Sequence, residues 1–598
     1  MAKVKRGSSS SNTPSPKRTK KSESVSSKST ETKPQEIMSL DEIKNYKSKI
    51  FESARYYNYI SKLIQQQTII LKKYTKQQEA NEEEDDDDEE YVIARGLILI
   101  IYQIFEKLIK EEQLKAGKSS NDEKKTIVKW LRSRYTEYKD NLLNFISIGS
   151  DNSDNGNDND NLNTIKLDSL ETYMKLVKLE SENMAPNKGD LFFANATFKL
   201  LINKLIKTGT NKEIIESNST INNFIILEFY SSYYSKYWDI KFYFLQELNE
   251  ILSELKENEK EKEDKLKQEL IFSNVLTILK PEPLYDSKFK KIEELIKKQK
   301  YFDSNVPLKT VTNLNLIKSN FEKIILNLIN FKLSIQQFKS ILLILHKRII
   351  PFLNNPTKLM DFLTDSYDLG FSTNDTSISI LALNGLWELM KNYNLEYPNF
   401  FTKLYCLLTP DLLHLSYRSR FLRLLDIFMT SSHLTSNIVA SFIKKFSRLS
   451  LTAPPQGIVA IIPFIYNLLK RHPSCMVLIH SIKDYKSDPD SNYSDPFDND
   501  ATDPAMTNAS ESSLWELETI INHYHPNVSS LAKIFTQPFN KYSYNLEDFL
   551  DWNYTKLIES EINKKFKGAL AIEYENWDSL LNGNESENDN CYLKGYQW

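Results

Sequence analysis

Apolar residues recur at three- and four-residue spacing along most of this chain, the period of a helix with one buried stripe. Between 39 and 80, Ile50, Phe51, Ala54, Tyr57, Ile60, Leu63 and Ile64 fall on such a stripe and predict one helix. A second is predicted over roughly 91–115, and an aromatic-rich one near 229–244 within the apolar-periodic stretch 164–255. From about 310 the helices follow one another with marked breaks. Pro351 and Pro356 punctuate one apolar run, and Thr409-Pro410-Asp411 has the cap, first-turn proline and acid of a helix start. Thr435 is expected to cap a helix with Ile438, Val439, Phe442, Ile443, Phe446 and Leu449 on one face and Lys444, Lys445 and Arg448 on the other. Pro454-Pro455 ends it and starts another, running through Ile461 and Leu468 to His472-Pro473. Ser513-Leu514-Trp515-Glu516 reads as a capping box, and Asn545-Leu546-Glu547-Asp548 opens a helix carrying Phe549, Leu550 and Trp552. Helices of about 12–20 residues with short connectors predict stacked helical hairpins. The expected fold is all-α, a HEAT/armadillo-like helical solenoid without a regular sequence repeat.

Low-complexity stretches divide this pattern. Residues 1–37 hold almost no large apolar side chains and are expected to form a disordered basic arm. Two further disordered inserts are expected at 80–90, where residues 82–90 are all acidic, and at 150–163, nearly all Asn, Asp and Ser. The predicted domains are an N-terminal helical region over 38–300, a second helical domain over 301–482, and an acidic C-terminal segment with short helices over 483–598.

Composition supports the helical reading. Thirteen glycines in 598 residues are too few for a turn-rich sheet protein or for glycine-loop nucleotide folds. Three cysteines exclude a disulfide scaffold or a four-cysteine zinc site. The net charge of −3 conceals opposed blocks: residues 301–480 carry +8 and residues 481–598 carry −12. No apolar leader or membrane-length run is visible, so a soluble chain is expected.

Chemistry is hard to find. Phosphate-loop, dinucleotide, zinc-protease and serine-hydrolase motifs are missing, and the seven histidines show no metal-ligand spacing. The expectation is a protein that is not an enzyme and uses no cofactor or metal. Basic clusters are the informative features. Lys17, Arg18, Lys20 and Lys21, beside Pro14-Ser15-Pro16, suit a nuclear import signal. In Tyr417-Arg418-Ser419-Arg420-Phe421-Leu422-Arg423, Arg420 and Arg423 share a helix face while Phe421, Leu424 and Leu425 point to the core. Arg418, Arg420 and Arg423, with Lys444, Lys445 and Arg448, are candidates for contact with RNA phosphates or an acidic partner. Bonds to the chain's own turns or to its acidic C-terminal segment are the structural alternative.

Several blocks resemble a known family. Leu381-Ala382-Leu383-Asn384-Gly385-Leu386-Trp387, Asn394-Leu395-Glu396-Tyr397-Pro398, Tyr417-Arg418-Ser419-Arg420-Phe421, Leu449-Ser450-Leu451-Thr452-Ala453-Pro454-Pro455 and Asn467-Leu468-Leu469-Lys470-Arg471-His472-Pro473-Ser474-Cys475 look like the CCAAT-binding-factor-type domain of nucleolar complex proteins. Asp495-Pro496-Phe497-Asp498, His523-Tyr524-His525-Pro526-Asn527-Val528 and Tyr544-Asn545-Leu546-Glu547-Asp548 continue the resemblance, which covers about 310–560. At Leu369-Gly370-Phe371 the family pattern has a glycine pair, so a local turn is in question there. The resemblance implies a nucleolar assembly factor of the small ribosomal subunit. Such a factor would form a heterodimer with nucleolar protein fourteen, join the small-subunit precursor particle and support its rRNA maturation and nuclear export. Two other readings compete: a nuclear transport adaptor built on a helical solenoid, and a sequence-specific DNA-binding transcription factor. The second would need a recognition helix or zinc module that the sequence does not offer.

Overall fold

A computed structural model describes residues 38–80, 88–115, 122–148, 158–184, 192–209, 223–257, 265–280, 300–302, 308–311, 313–373, 375–431, 434–480 and 494–565. The basic arm, including Lys17, Arg18, Lys20 and Lys21, lies outside them, as do 81–87 and 150–157 of the expected inserts. The described residues are helical with no strand, which establishes the all-α helical-solenoid class. They divide into two compact units, one formed by residues up to 210 with 231–233 and 300–307, the other by the remainder.

The first unit contains helices Leu40–Glu52, Asn58–Ala80, Asp88–Lys110, Asp122–Ser147, Asp158–Asn183 and Asn195–Ile206. The single helix expected over 39–80 is interrupted at Ser53, which is extended and accepts a hydrogen bond from the Arg55 amide through its side chain. Both acidic inserts are shorter than expected, because helices begin at Asp88 and Asp158 inside them. Glu90, in the first turn of the helix from Asp88, pairs with Lys73 at 2.7 Å. Ile98, Ile101, Phe105, Tyr138, Leu142, Tyr173 and Phe198 are fully buried between these helices. Phe302 meets Phe193 edge-on at 5.2 Å, which ties residues 300–302 to this unit.

In the second unit, the chain boundary expected near 300 gives way to continuous packing. Helix Trp238–Glu257 lies against Leu314–Ile329, and Trp238 Nε1 donates to the Val311 carbonyl at 3.2 Å. Gln337 donates to the Glu269 carbonyl and the Ser273 hydroxyl, both at 2.8 Å, joining helix Ile335–Ile344 to Lys265–Leu279. Helices Trp238–Glu257 and Lys265–Leu279 therefore bury their apolar faces with the later helices, and the units divide near 210 rather than at 300.

Helices Met360–Ser372 and Thr376–Tyr393 form a tight hairpin. No turn interrupts Leu369-Gly370-Phe371; the helix continues to Ser372. A Cβ on Gly370 would lie 2.1 Å from Ser379 Oγ and 2.8 Å from its backbone nitrogen, so this one glycine lets the two backbones approach. Helices Phe400–Cys406, Arg418–Phe428, Ser436–Ser450 and Pro455–Arg471 follow, then short helices Trp515–Ile521, Pro526–Ala532, Glu547–Leu550 and Tyr554–Ile562. Thr409-Pro410-Asp411 opens a 3-10 turn, Pro410–Leu413, with no cap bond from Thr409. No described helix is long and apolar enough to cross a membrane.

Candidate functional site

The six cations nominated between 418 and 448 lie on two helices of the second unit, Arg418–Phe428 and Ser436–Ser450. Periodicity placed them correctly relative to the core: Phe421, Leu425, Val439, Phe442, Ile443 and Phe446 are fully buried. It did not reveal that the polar faces are themselves covered. The chain from 494 to 562 folds back over these helices and over Pro455–Arg471, and supplies acceptors to five of the six cations.

Lys444 is the extreme case. Its side chain is 0% exposed, and its ammonium lies 2.7 Å from Glu516 Oε1 and 3.0 Å from Asp495 Oδ2, while donating to the Ser513 carbonyl at 2.6 Å. Glu516 is likewise fully buried. Arg448 lies 2.8 Å from Asp495 Oδ2 and 3.0 Å from Glu516 Oε1, with its guanidinium 4.9 Å from the centre of the Trp515 ring. Burial pushes the Asp495 carboxyl up, but hydrogen bonds from Ser512, Trp515 and Lys444 outweigh it and hold the group at about 2. A buried lysine persists here because two carboxylates and a carbonyl replace its water. The capping box expected at Ser513-Leu514-Trp515-Glu516 does not form: Leu514 occupies the cap position, and the Glu516 side chain is committed to Lys444 and Arg448.

Arg418 is also internal. It donates to the Trp552 carbonyl at 2.6 Å and the Leu413 carbonyl at 3.4 Å, and burial lowers its basicity. Arg423 makes a fork with Glu547 at 2.7–3.0 Å and also donates to Asp551 at 3.0 Å. The Glu547 bond, offset in part by burial, raises the Arg423 pKa and lowers that of Glu547. Lys445 donates to the Asn499 carbonyl at 2.7 Å and side chain at 3.0 Å; burial lowers its pKa. These five side chains thus bond the chain to itself in this structure. Lys444 and Arg418 in particular are out of reach of a phosphate or an external acid. Arg420 differs: it is half-buried and makes no hydrogen bond or ion pair among the described residues.

Sequence reasoning missed the polar residues that seat the covering segment. Asn467 exchanges two bonds with the Tyr544 backbone, both at 2.8 Å. Tyr466 donates to the Lys541 carbonyl at 2.9 Å and stacks on Phe539 at 4.6 Å. The signal was present as a buried amide in an otherwise apolar helix, Pro455–Arg471.

Beside this surface is an open groove of about 860 Å³ lined largely by Trp387, Met390, Tyr397, Phe400, Phe401 and Ile427. Phe428 also lines it, edge-on to Trp387 at 5.1 Å and to Phe400 at 4.8 Å. Residues 394–399, which carry Tyr397, begin and end at asparagines in the left-handed region. No group of three or more potential metal ligands occurs among the described residues.

Comparison with known proteins places this architecture. Residues 379–532 match the CBF/Mak21 family, so the matched domain runs past 482 into the covering segment, as the packing requires. Residues 31–259 match the family described as nucleolar complex protein 4-like, TPR repeats. The chain is 44% identical to nucleolar complex protein 4 of Saccharomyces cerevisiae over 529 residues, 84% of this chain and 91% of that one. The chain belongs to the nucleolar complex protein 4 family. It is 34% identical to the Gallus gallus homologue over 78% of this chain and 83% of the relative. With the Homo sapiens homologue it shares 40% identity over 264 residues, 44% of this chain and 49% of the relative. Membership makes it a nucleolar factor of ribosome biogenesis, a scaffold-type family rather than an enzyme family. The TPR repeats named in that family's description, like HEAT and armadillo repeats, are stacked helical hairpins, in agreement with the expected helical solenoid.

Proposed function

We propose that the protein is a non-enzymatic assembly factor of the small ribosomal subunit, working in the nucleolus as a helical scaffold. It pairs with nucleolar protein fourteen, joins the small-subunit precursor and supports its rRNA maturation and nuclear export. The observation that carries the pairing is the aromatic groove between Trp387 and Ile427, an open apolar recess inside the CBF/Mak21 domain. Aromatic anchors together with the hydroxyl-bearing Thr402, Thr430 and Ser431 in the lining suit an apolar segment of a protein partner. The import signal at Lys17, Arg18, Lys20 and Lys21 gives the route to the nucleus.

The test is affinity capture of the full chain from cells. Nucleolar protein fourteen and small-subunit precursor RNA are expected to co-purify, and depletion should lower small-subunit output relative to large. Ile427→Glu, at an exposed position of the groove, should reduce partner recovery with an unchanged melting temperature. Normal subunit ratios after depletion would reject the reading, and recovery of a small GTPase or nucleoporins instead would favour the transport adaptor.

A further inference from the structure

The last described helix, Tyr554–Ile562, is anchored along one side. Leu557 is buried there, and Asn527 donates to Glu561 at 2.6 Å, which pins the helix beside Pro526–Ala532. On the same side lies an open groove of about 350 Å³ lined by Val459, Leu531, Phe549, Trp552 and Leu557, among others. The adjoining side carries Tyr554, Ile558 and Ile562, four residues apart and therefore in one row. They are 52%, 58% and 75% exposed, and the two isoleucines are the most exposed of their kind among the described residues. Single apolar side chains are common on a surface. A contiguous row beside an apolar groove marks a face that something covers.

We propose that residues 569–581 of this chain cover that face, as an amphipathic helix folded back against Tyr554–Ile562. The described residues stop at Lys565, three positions beyond Ile562, and 566–598 follow. In that stretch Leu570, Tyr574, Trp577 and Leu581 are spaced four, three and four apart, which predicts one apolar stripe. Apart from Ile572, the opposite side is polar, with Glu575, Asn576 and Ser579. Gly583 follows as a helix stop signal. Residues 563–568 are then a six-residue connection, within the usual range for helices that pack as antiparallel neighbours. Thirteen helical residues span about 20 Å, against about 14 Å for Tyr554–Ile562, so the whole row is within reach. A tether this short holds the segment at about millimolar local concentration, which favours it over a second copy or a free protein. A helical stack needs a terminal element with a polar outer face, and this helix supplies one beyond Tyr554–Ile562. The assignment is independent of the partner groove between Trp387 and Ile427.

The experiment replaces Ile558 with the photo-cross-linker p-benzoylphenylalanine in the full-length protein and mixes it with unmodified 15N-labelled chain. Irradiation should link position 558 to unlabelled peptides from 569–581, the mark of a contact within one chain. Links to 15N peptides would assign the face to a second copy, and links elsewhere or none would leave the segment without a role there; each overturns the proposal. So does irradiation in cells that captures another protein in place of 569–581. Hydrogen exchange gives a second readout. Leu570→Glu/Trp577→Glu should lower protection of the 554–562 amides about tenfold, whereas Ile572→Glu, on the opposite side, should leave it unchanged. Protection of the 360–393 amides reports that the rest of the chain stays folded. Unchanged protection at 554–562 in the folded double variant also overturns the proposal.

Discussion

The hairpin 360–393 and the covering segment 494–562 belong to the same unit but are held by opposite means. In the hairpin, apolar side chains and one glycine bring two backbones into direct contact: Leu363, Ile378, Ile380, Leu381 and Ala382 are fully buried, and Gly370 touches Ser379. The covering segment has few such anchors, Leu517, Val528, Leu550 and Leu557 among them, and attaches through ions and backbone carbonyls. Close packing contributes at any pH and salt, whereas ionic attachment depends on both. The chain therefore combines a scaffold insensitive to its surroundings with a cover that responds to them.

The largest test of this contrast is Lys444→Ala. It removes the only fully buried cation facing Glu516 and Asp495 and leaves them to Arg448 alone, and loss of one partner of a buried pair costs about 3–5 kcal/mol. Chemical denaturation should show a loss of that size. A paired replacement, Lys444→Met with Glu516→Leu, should recover much of it; equal losses in both variants would mean that apolar packing cannot stand in for the ions.

Gly370→Ala probes the hairpin. The added methyl meets the Ser379 backbone, which cannot move aside cheaply, and overpacking of this kind costs about 1–3 kcal/mol. Unlike Lys444→Ala, its effect should be the same at low and high salt. A strong salt dependence would erase the distinction between the two regions.

Acid should loosen the cover before the hairpin. The folded Asp495 pKa, about 2, lies below the usual carboxylate value, so its contribution is complete above about 4. That contribution fades as pH falls toward 2. The lowered Glu547 pKa acts in the same direction. Hydrogen exchange at acidic pH should show protection lost first around Asp495, Trp515 and Glu547, with the 360–393 amides still protected. Simultaneous loss in both regions would contradict the separation.

The smallest expected effect is that of Arg423→Ala. Its fork with Glu547 and Asp551 is partly exposed to water and should contribute no more than about 1 kcal/mol, declining as salt rises. A larger loss would place that pair in the same energetic class as Lys444.

What could be read from the sequence follows the same division. Helix phase is local, so the buried sides of Ser436–Ser450 and Arg418–Phe428 were legible from spacing alone. The fate of their polar sides was not, because the covering residues lie far along the chain. Lys444 belongs to a polar face in sequence and to the interior in space. The capping box at Ser513 failed for the same reason: Glu516 has a stronger claim elsewhere than the start of its own helix. The continuous helix through Gly370 was hidden because a glycine pair suggests a turn, whereas a single glycine marks close approach of another backbone. The expected inserts were trimmed because helices begin inside them, at Asp88 and Asp158. Arg420 could be singled out only after its neighbours had been paired.

The distance between Lys444 and its acceptors also sets an order of events during synthesis. Ser513 follows Lys444 by 69 residues, which takes roughly 3–14 s at about 5–20 residues per second. Until then the Ser436–Ser450 helix cannot bury its lysine with compensation, and the interior behind it stays accessible to water. A nascent or prematurely terminated chain ending in this interval would carry one uncompensated ammonium in its half-built core. The cover closes over Lys444 only when Asp495 and Glu516, the acids that neutralise it, have both been made.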